Sequence, residues 1–557
     1  MRRRVPLVAL IGLLLLALLP HASAPAVASP RASGEIVANE ALRTAPALTG
    51  GTVQRSRPTA LPAESVGTIA DQTVLFTSDV VAADQLFDYV GVRWIAAPGT
   101  EGAMHFEIRT SADARTWGAW EALKHEEDMV DYAKNEWYAA PLPTVDGARY
   151  AQYRVWLTSG ELDSVRRVGV TFMDVSDLNA GPVARLLNDV KGAFRDIGRS
   201  YADAAPVGLP RILTRQDWAA DESLMDWIPQ YEKPVQKAVV HHTVTRDGGD
   251  DVAAAIRSIY YFHAVTRGWG DIGYNYLVDK YGNIWTGRIG GDHVTAGHAI
   301  GWNRGSIGVA AIGDYSVNQP TPAMIGGIAN VIALKFAQFG IQPFGSDPFT
   351  HTETTSEGEG IDVTSSPPNI QGHRDCVWEV GKTGAPTACP GGALYNELAT
   401  IRSLAQNAVS AGNGYQYLAR LDPNLPAATF PGNVLDVPVL VTNRGAEVIP
   451  AGTSVSYQLL QRGNVVLAQG ERGVLGADLP GGASAVVNVP FISPMTTGSY
   501  VVRWDLQVGT AWWNQVYGPV YRDMWFRSSD WGVRYVTSRV PRLQTAGSFL
   551  QHSVTLR

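Results

Sequence analysis

Cysteine is scarce: the chain of 557 residues holds two, Cys376 and Cys389. Two cysteines exclude a disulfide framework. Charge is thin as well, at 17% of residues, and the formal net charge is −7. That balance argues against a general nucleic-acid binder. Beyond the first few dozen residues no apolar run reaches the length of a membrane span. A His-Glu-x-x-His helix is missing, so a zincin protease is not supported. No short-period repeat is present. The hydrophobic fraction of 45% is that of an ordinary globular protein. The length is too great for one core and predicts about three or four domains.

The start reads as a signal peptide over residues 1–28. Arg2-Arg3-Arg4 is the charged region, Val5 to Leu19 the apolar one, and Ala26-Val27-Ala28 an A-x-A cleavage site. Ala22-Ser23-Ala24 also fits, but Pro25 would then follow the cut. An uncleaved anchor is the competing interpretation. The expectation is an exported, secreted protein with no membrane span after signal removal. Residues 29–64, rich in Ala, Pro, Thr and Ser, read as a linker.

Residues 65–177 predict an N-terminal β-sandwich. Val90 to Ile95, His105 to Arg109, Tyr150 to Leu157 and Val168 to Phe172 alternate with period 2, and turn clusters separate them. The turn Ser111 to Trp117 leads into aromatics. It reads as a packing turn, with cell-wall carbohydrate binding by the flanking β domains as the alternative. Residues 178–209 read as a helical connector, with Val183, Leu186, Leu187, Val190, Phe194 and Ile197 at helical spacing. Residues 418–530 return to strands: Asn433 to Asn443, Val455 to Leu460, Ala485 to Val489 and Ser499 to Leu506. They resemble immunoglobulin-like modules. Residues 531–557 are an unassigned tail.

Between these lies a mixed α/β region, residues 210–412. Asp250 is placed to cap a helix running to about Thr266. Thr321-Pro322 opens a second helix with Ile325, Ile328, Ile332 and Phe336 on one face, and Gly340 ends it. A last helix spans about Ala393 to Val409. Strands are expected at Tyr274 to Asp279, Asn283 to Thr286 and Ile307 to Ile312. Residues 344–368 read as a long surface loop. The fold class is therefore multidomain: a central mixed sheet flanked by helices, between two β-sandwiches.

His241 stands on an apolar β-type run, and His373 and Cys389 lie far downstream, so only folding brings them together. Two imidazoles and a thiolate form a natural ligand set for Zn²⁺. Three protein ligands with a fourth position left open is the pattern of a catalytic zinc. His241 and His242 are adjacent on a strand and face opposite ways, so one of them at most binds the ion. A Cys376–Cys389 disulfide is the competing interpretation of the thiols.

Six pieces, in order, carry a resemblance: Arg215-Gln216-Asp217-Trp218, Val239 to Thr243, Ile272-Gly273-Tyr274-Asn275-Tyr276, Asn303 to Gly308, Gly372-His373-Arg374-Asp375, and Thr387-Ala388-Cys389-Pro390-Gly391. Residues 210–412 resemble the zinc-dependent N-acetylmuramoyl-L-alanine amidases of the type 2 class and the peptidoglycan recognition proteins. The resemblance implies zinc held by His241, His373 and Cys389. It implies hydrolysis of the amide between N-acetylmuramic acid and L-alanine, with peptidoglycan as the partner. Tyr274 matches the family's catalytic tyrosine. Thr387 falls where relatives carry Lys or Thr, and a Thr supplies no positive charge, so the general base stays open. His298, Trp302 and Asn303 match a loop lining the family's substrate groove, with a structural role for His298 as the alternative. Relatives that only bind peptidoglycan lack one or more of the ligands. All three are present here, which favours an enzyme over the alternative of a non-catalytic recognition protein.

Overall fold

The computed structural model describes residues 35–36, 51–56, 73–97, 104–124, 136–157, 165–175, 210–291, 294–377, 379–381, 387–410, 415–461, 465–517 and 520–529. The expected signal peptide, the helical connector and the tail lie outside these residues.

The central unit is built on a six-stranded sheet. Its strands are β1 (Ile212–Leu213), β2 (Lys237–His242), β3 (Tyr276–Val278), β4 (Ile284–Thr286), β5 (Ser306–Ala311) and, later in the chain, Ile370–Gly372. The order across the sheet is β1-β4-β3-β5-β2 and then Ile370–Gly372 at the edge. β2 runs parallel to both neighbours, pairing Val239 with Gly308 and Val240 with Gly372. All six residues of β2 are buried, as a strand covered on both faces should be.

Helices cover the faces. α1 (Val252–Tyr261) starts where Asp251 accepts a hydrogen bond from the Ala254 N–H at 2.9 Å. The cap is thus one residue later than the expected Asp250. The turn Phe262–Thr266 widens to π geometry. α2 (Pro322–Phe339) has Thr321 as its cap and Gly340 in the left-handed region at φ 72°. Contrary to the sequence expectation, α2 is by length and composition apolar enough to cross a membrane, yet 67% of its apolar stretch is buried. It lies in the core, where Ile328, Ile332 and Phe336 pack on Val240, Val278 and Val309. Two further helices, α3 (Gly392–Asn396) and α4 (Leu398–Ser410), close the unit against α2 through Leu398, Ile401 and Ala405.

Residues 344–368 are not a plain loop. They contain a hairpin of β6 (Phe349–Thr354) and β7 (Gly360–Ser365). Phe349, His351 and Glu353 alternate inward on β6, whereas β7 is exposed along nearly its whole length. On β7 only Ile361 and Val363 alternate with polar residues, too short a pattern to mark a strand among the surrounding Gly, Ser and Thr.

The N-terminal strands are present as expected, but they join one hydrogen-bonded network of nine and not two separate sheets. Two 16-residue strands, Val81–Ala96 and Leu142–Leu157, carry this continuity, with register shifts between them. Trp94, Phe106, Tyr153, Val155 and Phe172 lie in their core. The 29–64 linker needs correction in two places. Gly51–Ser56 pairs antiparallel with Thr73–Ser78, and Glu35–Ile36 pairs with Val165–Met173. Both are short and polar, and backbone pairing holds them. At the turn Ser111–Trp117, Asp113 accepts from the Arg115 and Thr116 N–H groups at 2.8 and 2.7 Å. Trp117 and Trp120 lie over the Arg109 guanidinium at 4.7 and 4.5 Å, so the turn packs against its own sheet.

The C-terminal unit has a three-stranded and a six-stranded sheet. They share one core that includes Val439 and Phe491 from the first and Tyr457, Trp504 and Phe526 from the second. Both β units pack on the central one. Tyr138, Met173 and Val175 meet Ala254, Tyr261 and Phe262 on one side. Leu460, Val501 and Trp525 meet Met225 and Ile289 on the other.

Candidate metal centre

His241 is the fifth residue of β2, at the carboxyl end of a strand parallel to both neighbours. His373 opens a single 3₁₀ turn directly after the edge strand Ile370–Gly372. Adjacent parallel strands that end together thus bring the two imidazoles close, with ring centroids 4.6 Å apart. Cys389 comes from the turn ahead of α3. The Arg374 N–H donates to its carbonyl at 2.9 Å, which ties the two downstream ligand segments to one another. Gly391, at φ 86°, lets this turn lie against the Tyr315 backbone, where a Cβ would come within 2.3 Å of the Tyr315 carbonyl carbon.

One ligand atom from each of His241, His373 and Cys389 lies within 4.8 Å of the others, and all three residues are buried. The Cys389 Sγ is 3.5 Å from the His241 Nδ1. Two ligands on a tetrahedral zinc, with bonds of about 2.0 and 2.3 Å, stand roughly 3.5 Å apart. The donor set and this spacing fit Zn²⁺. Both cysteines are free thiols. Cys376 is instead 3.3 Å from the Gln371 Nε2, which donates to its sulfur.

The other nitrogen of His241 faces away from the cluster. Nε2 lies 3.0 Å from Nδ1 of His298, whose Nε2 lies 3.3 Å from Ser306 Oγ. The Ser306 hydroxyl donates to the Trp302 carbonyl at 2.6 Å. The chain ends on a carbonyl, which only accepts, so one proton assignment satisfies every step. His241 Nε2–H donates to His298, His298 Nε2–H donates to Ser306, and His241 Nδ1 keeps its lone pair for an ion. Burial, then the neighbouring His373, His298 and His242, hold the basicity of His241 well below the ordinary imidazole range. Burial, then His373 and Arg288, push His298 down to about 3. An uncharged imidazole is the form that binds a metal.

His242 points to the opposite side, as strand alternation requires, and its Nδ1 accepts from the Tyr315 N–H at 3.2 Å. Tyr274 is buried, with its ring centroid 5.4 Å from that of His241. Its hydroxyl is 3.5 Å from the His242 carbonyl, at the long limit for a hydrogen bond. Thr387 Oγ1 accepts from the Cys389 N–H at 3.0 Å and so fixes the ligand turn.

The three loop residues His298, Trp302 and Asn303 make contacts within the domain, and for His298 this is the structural alternative of the sequence reading. His298 is buried behind His241 and supports the ligand. A Cβ at Gly308 would sit 2.4 Å from its ring, so glycine there is what lets the imidazole lie on β5. Trp302 is buried with 1% exposure, stacks on Phe349 and His351, and donates to the Val377 carbonyl. Asn303 accepts from the His298 and Ala299 N–H groups, each at 2.8 Å, and holds the loop.

Sequence reasoning also missed His263 and Asp314. His263 Nδ1 accepts from the Gly273 N–H at 3.1 Å, and burial, then Arg267 and Arg288, lower the ring to about 3. It fixes the segment ahead of Tyr274. Asp314 Oδ1 is 3.8 Å from His242 Nδ1. Burial pushes this carboxyl up, but bonds from Lys124 and Ser316 outweigh it and hold it below its ordinary value. A histidine within a helix and an aspartate within a turn carry no motif of their own.

The family described as N-acetylmuramoyl-L-alanine amidase matches residues 231–392. Peptidoglycan-recognition protein 1 of Holotrichia diomphalia is 31% identical over 138 residues, 24% of this chain and 68% of that protein. Peptidoglycan-recognition protein SC2 of Drosophila melanogaster is 30% identical over 165 residues, 29% of this chain and 72% of that protein. A human N-acetylmuramoyl-L-alanine amidase is 38% identical over 123 residues, 21% of each chain. The chain therefore belongs to the family of type 2 N-acetylmuramoyl-L-alanine amidases and peptidoglycan recognition proteins.

Proposed function

We propose that the chain is an exported zinc hydrolase that cuts the amide between the lactyl group of N-acetylmuramic acid and L-alanine in peptidoglycan. One observation supports this most: two imidazoles and a thiolate from three separate segments meet, buried, within 4.8 Å. Packing three polar groups together away from water is unfavourable unless something offsets the cost, and a cation does. Zinc there supplies a Lewis acid for the scissile carbonyl and lowers the pKa of its water to about 7.

The protein's own groups do the rest. His241 presents Nδ1, held in place by the bond behind it. Tyr274 is the donor for the oxygen that gains charge as the amide carbon becomes tetrahedral. Thr387 holds the Cys389 turn through its oxygen, and its hydroxyl hydrogen serves as a second donor. His242 faces the other way, with its Nδ1 accepting from the Tyr315 backbone N–H, and takes no part.

The names of the two insect relatives favour a second reading, a peptidoglycan-binding protein without catalysis. Product analysis separates the two. Zinc-loaded protein mixed with a soluble muramoyl-peptide should release a peptide with a free L-alanine amino group. Saturable binding with the substrate intact would favour recognition alone. Export rests on the first 28 residues, and Ser29 at the mature amino terminus is the expected result.

A further inference from the structure

The N-terminal β unit is docked at the end of the central sheet that carries the metal ligands. Two ion pairs mark the seam. Lys124 Nζ is 2.8 Å from Asp314 Oδ2, and Arg246 pairs with Glu121. Arg246 lies in the loop after β2, five residues past His241, and Asp314 in the loop after β5. Both loops leave the carboxyl ends of parallel strands, the end at which open α/β sheets hold ligands.

Beside Arg246 a cavity of about 210 Å³ opens into the N-terminal unit. Val90, Leu142 and Val145 give it apolar walls, and its ionised groups are Arg109, Glu121 and Arg246. Among the described residues that line it, the balance is one net positive charge. Pockets for drug-sized ligands run from about 300 to 1,000 Å³. This one therefore suits one or two small residues and not a disaccharide.

We infer that this cavity is a subsite for the far end of the stem peptide, a small aliphatic residue ending in a free carboxylate. The inference rests on the amidase reading above. Five residues of chain reach at most about 18 Å, which bounds the distance from His241 to Arg246. An extended peptide of about four or five residues covers the same span. A guanidinium pairs with a carboxylate through two parallel hydrogen bonds, and the apolar walls take the side chain. Glu121 neutralises Arg246 when no peptide is bound. Their side chains are 36% and 59% exposed, so this pair is weak and yields to a competing carboxylate. Arg109 stays fixed, bonded through Nε to Gln152 Oε1 at 3.0 Å and stacked between Trp117 and Trp120.

The test compares two muramoyl-pentapeptides on the full chain, one ending in a carboxylate and one in a carboxamide. The unaltered protein should favour the acid by ~10- to 100-fold in kcat/KM, the usual worth of a charge-assisted bond. Arg246→Ala should bring the ratio near one. Val145→Trp, from a position already 37% exposed, should fill the cavity and raise KM for the pentapeptide acid. Equal rates on both peptides, or a preference that survives Arg246→Ala, would overturn the subsite and leave the amidase reading standing. If neither pentapeptide nor a shorter muramoyl-peptide is cut, the amidase reading itself falls.

Discussion

The Nε2 of His241 lies 3.0 Å from Nδ1 of His298, and this contact decides which face of the first ligand is left for an ion. It leaves Nδ1, 3.5 Å from the Cys389 sulfur. Groups that orient a metal-bound histidine typically govern metal affinity by ~10- to 100-fold. His298→Ala should therefore weaken zinc retention by that factor in chelator competition while the protein stays folded. Unchanged zinc affinity, with KM alone raised, would return His298 to the substrate groove.

The two thiols should behave differently. A ligand cysteine binds as the thiolate, so Cys389→Ser should lose zinc and activity together. Cys376→Ser should keep both, since Cys376 meets Gln371 and not the cluster. Thiol titration of the denatured, unreduced protein should find two free groups. Finding none, with both variants melting at the same lowered temperature, would mean a bridge.

Tyr274→Phe should fold and hold metal normally, because the substitution keeps the buried ring and removes a single oxygen, which lies 3.5 Å from the His242 carbonyl. Turnover should fall by ~10²–10³, the usual loss for one oxyanion donor. An unchanged kcat would reduce Tyr274 to a packing residue.

A pH effect is expected far from the site. Asp505 is fully buried in the C-terminal unit. Burial pushes its carboxyl up to about 7 against the opposing pull of the Asn514 and Leu506 N–H groups. The folded protein thus keeps a proton that the unfolded chain releases near pH 4. The resulting stability is full below that pH and is lost as pH rises from about 4 through about 7. It amounts to at most on the order of 4 kcal/mol. The C-terminal unit should melt lower at pH 8 than at pH 5, and Asp505→Asn should shrink that difference. An identical pH dependence in the variant would show that Asp505 does not carry it.

The ligands were legible because six motifs in the family's order single out His241, His373 and Cys389 together, and the three do converge. The residues around them were not legible to the same degree. Trp302 and Asn303 sit in a loop that matches relatives, but the burial of Trp302 is set by the hairpin folded over it. The Trp302 ring stacks on His351 from β6 at 4.2 Å. That hairpin was itself missed, because β7 offers only Ile361 and Val363 as an alternating pair. Helices were easier: Thr321, Pro322 and Gly340 bound α2 where cap chemistry placed them. The seam joining Lys124 to Asp314 spans 190 residues and has no signature in either segment.

The central claim is that the His241–His373–Cys389 cluster makes this chain a zinc amidase. Zinc content and reaction products, measured together on the full-length protein and on His373→Ala, test it most directly. The account predicts one zinc per chain and new L-alanine amino termini from purified peptidoglycan, with both lost in the variant. Stoichiometric zinc with intact peptidoglycan, or activity that survives in the metal-free variant, would contradict it.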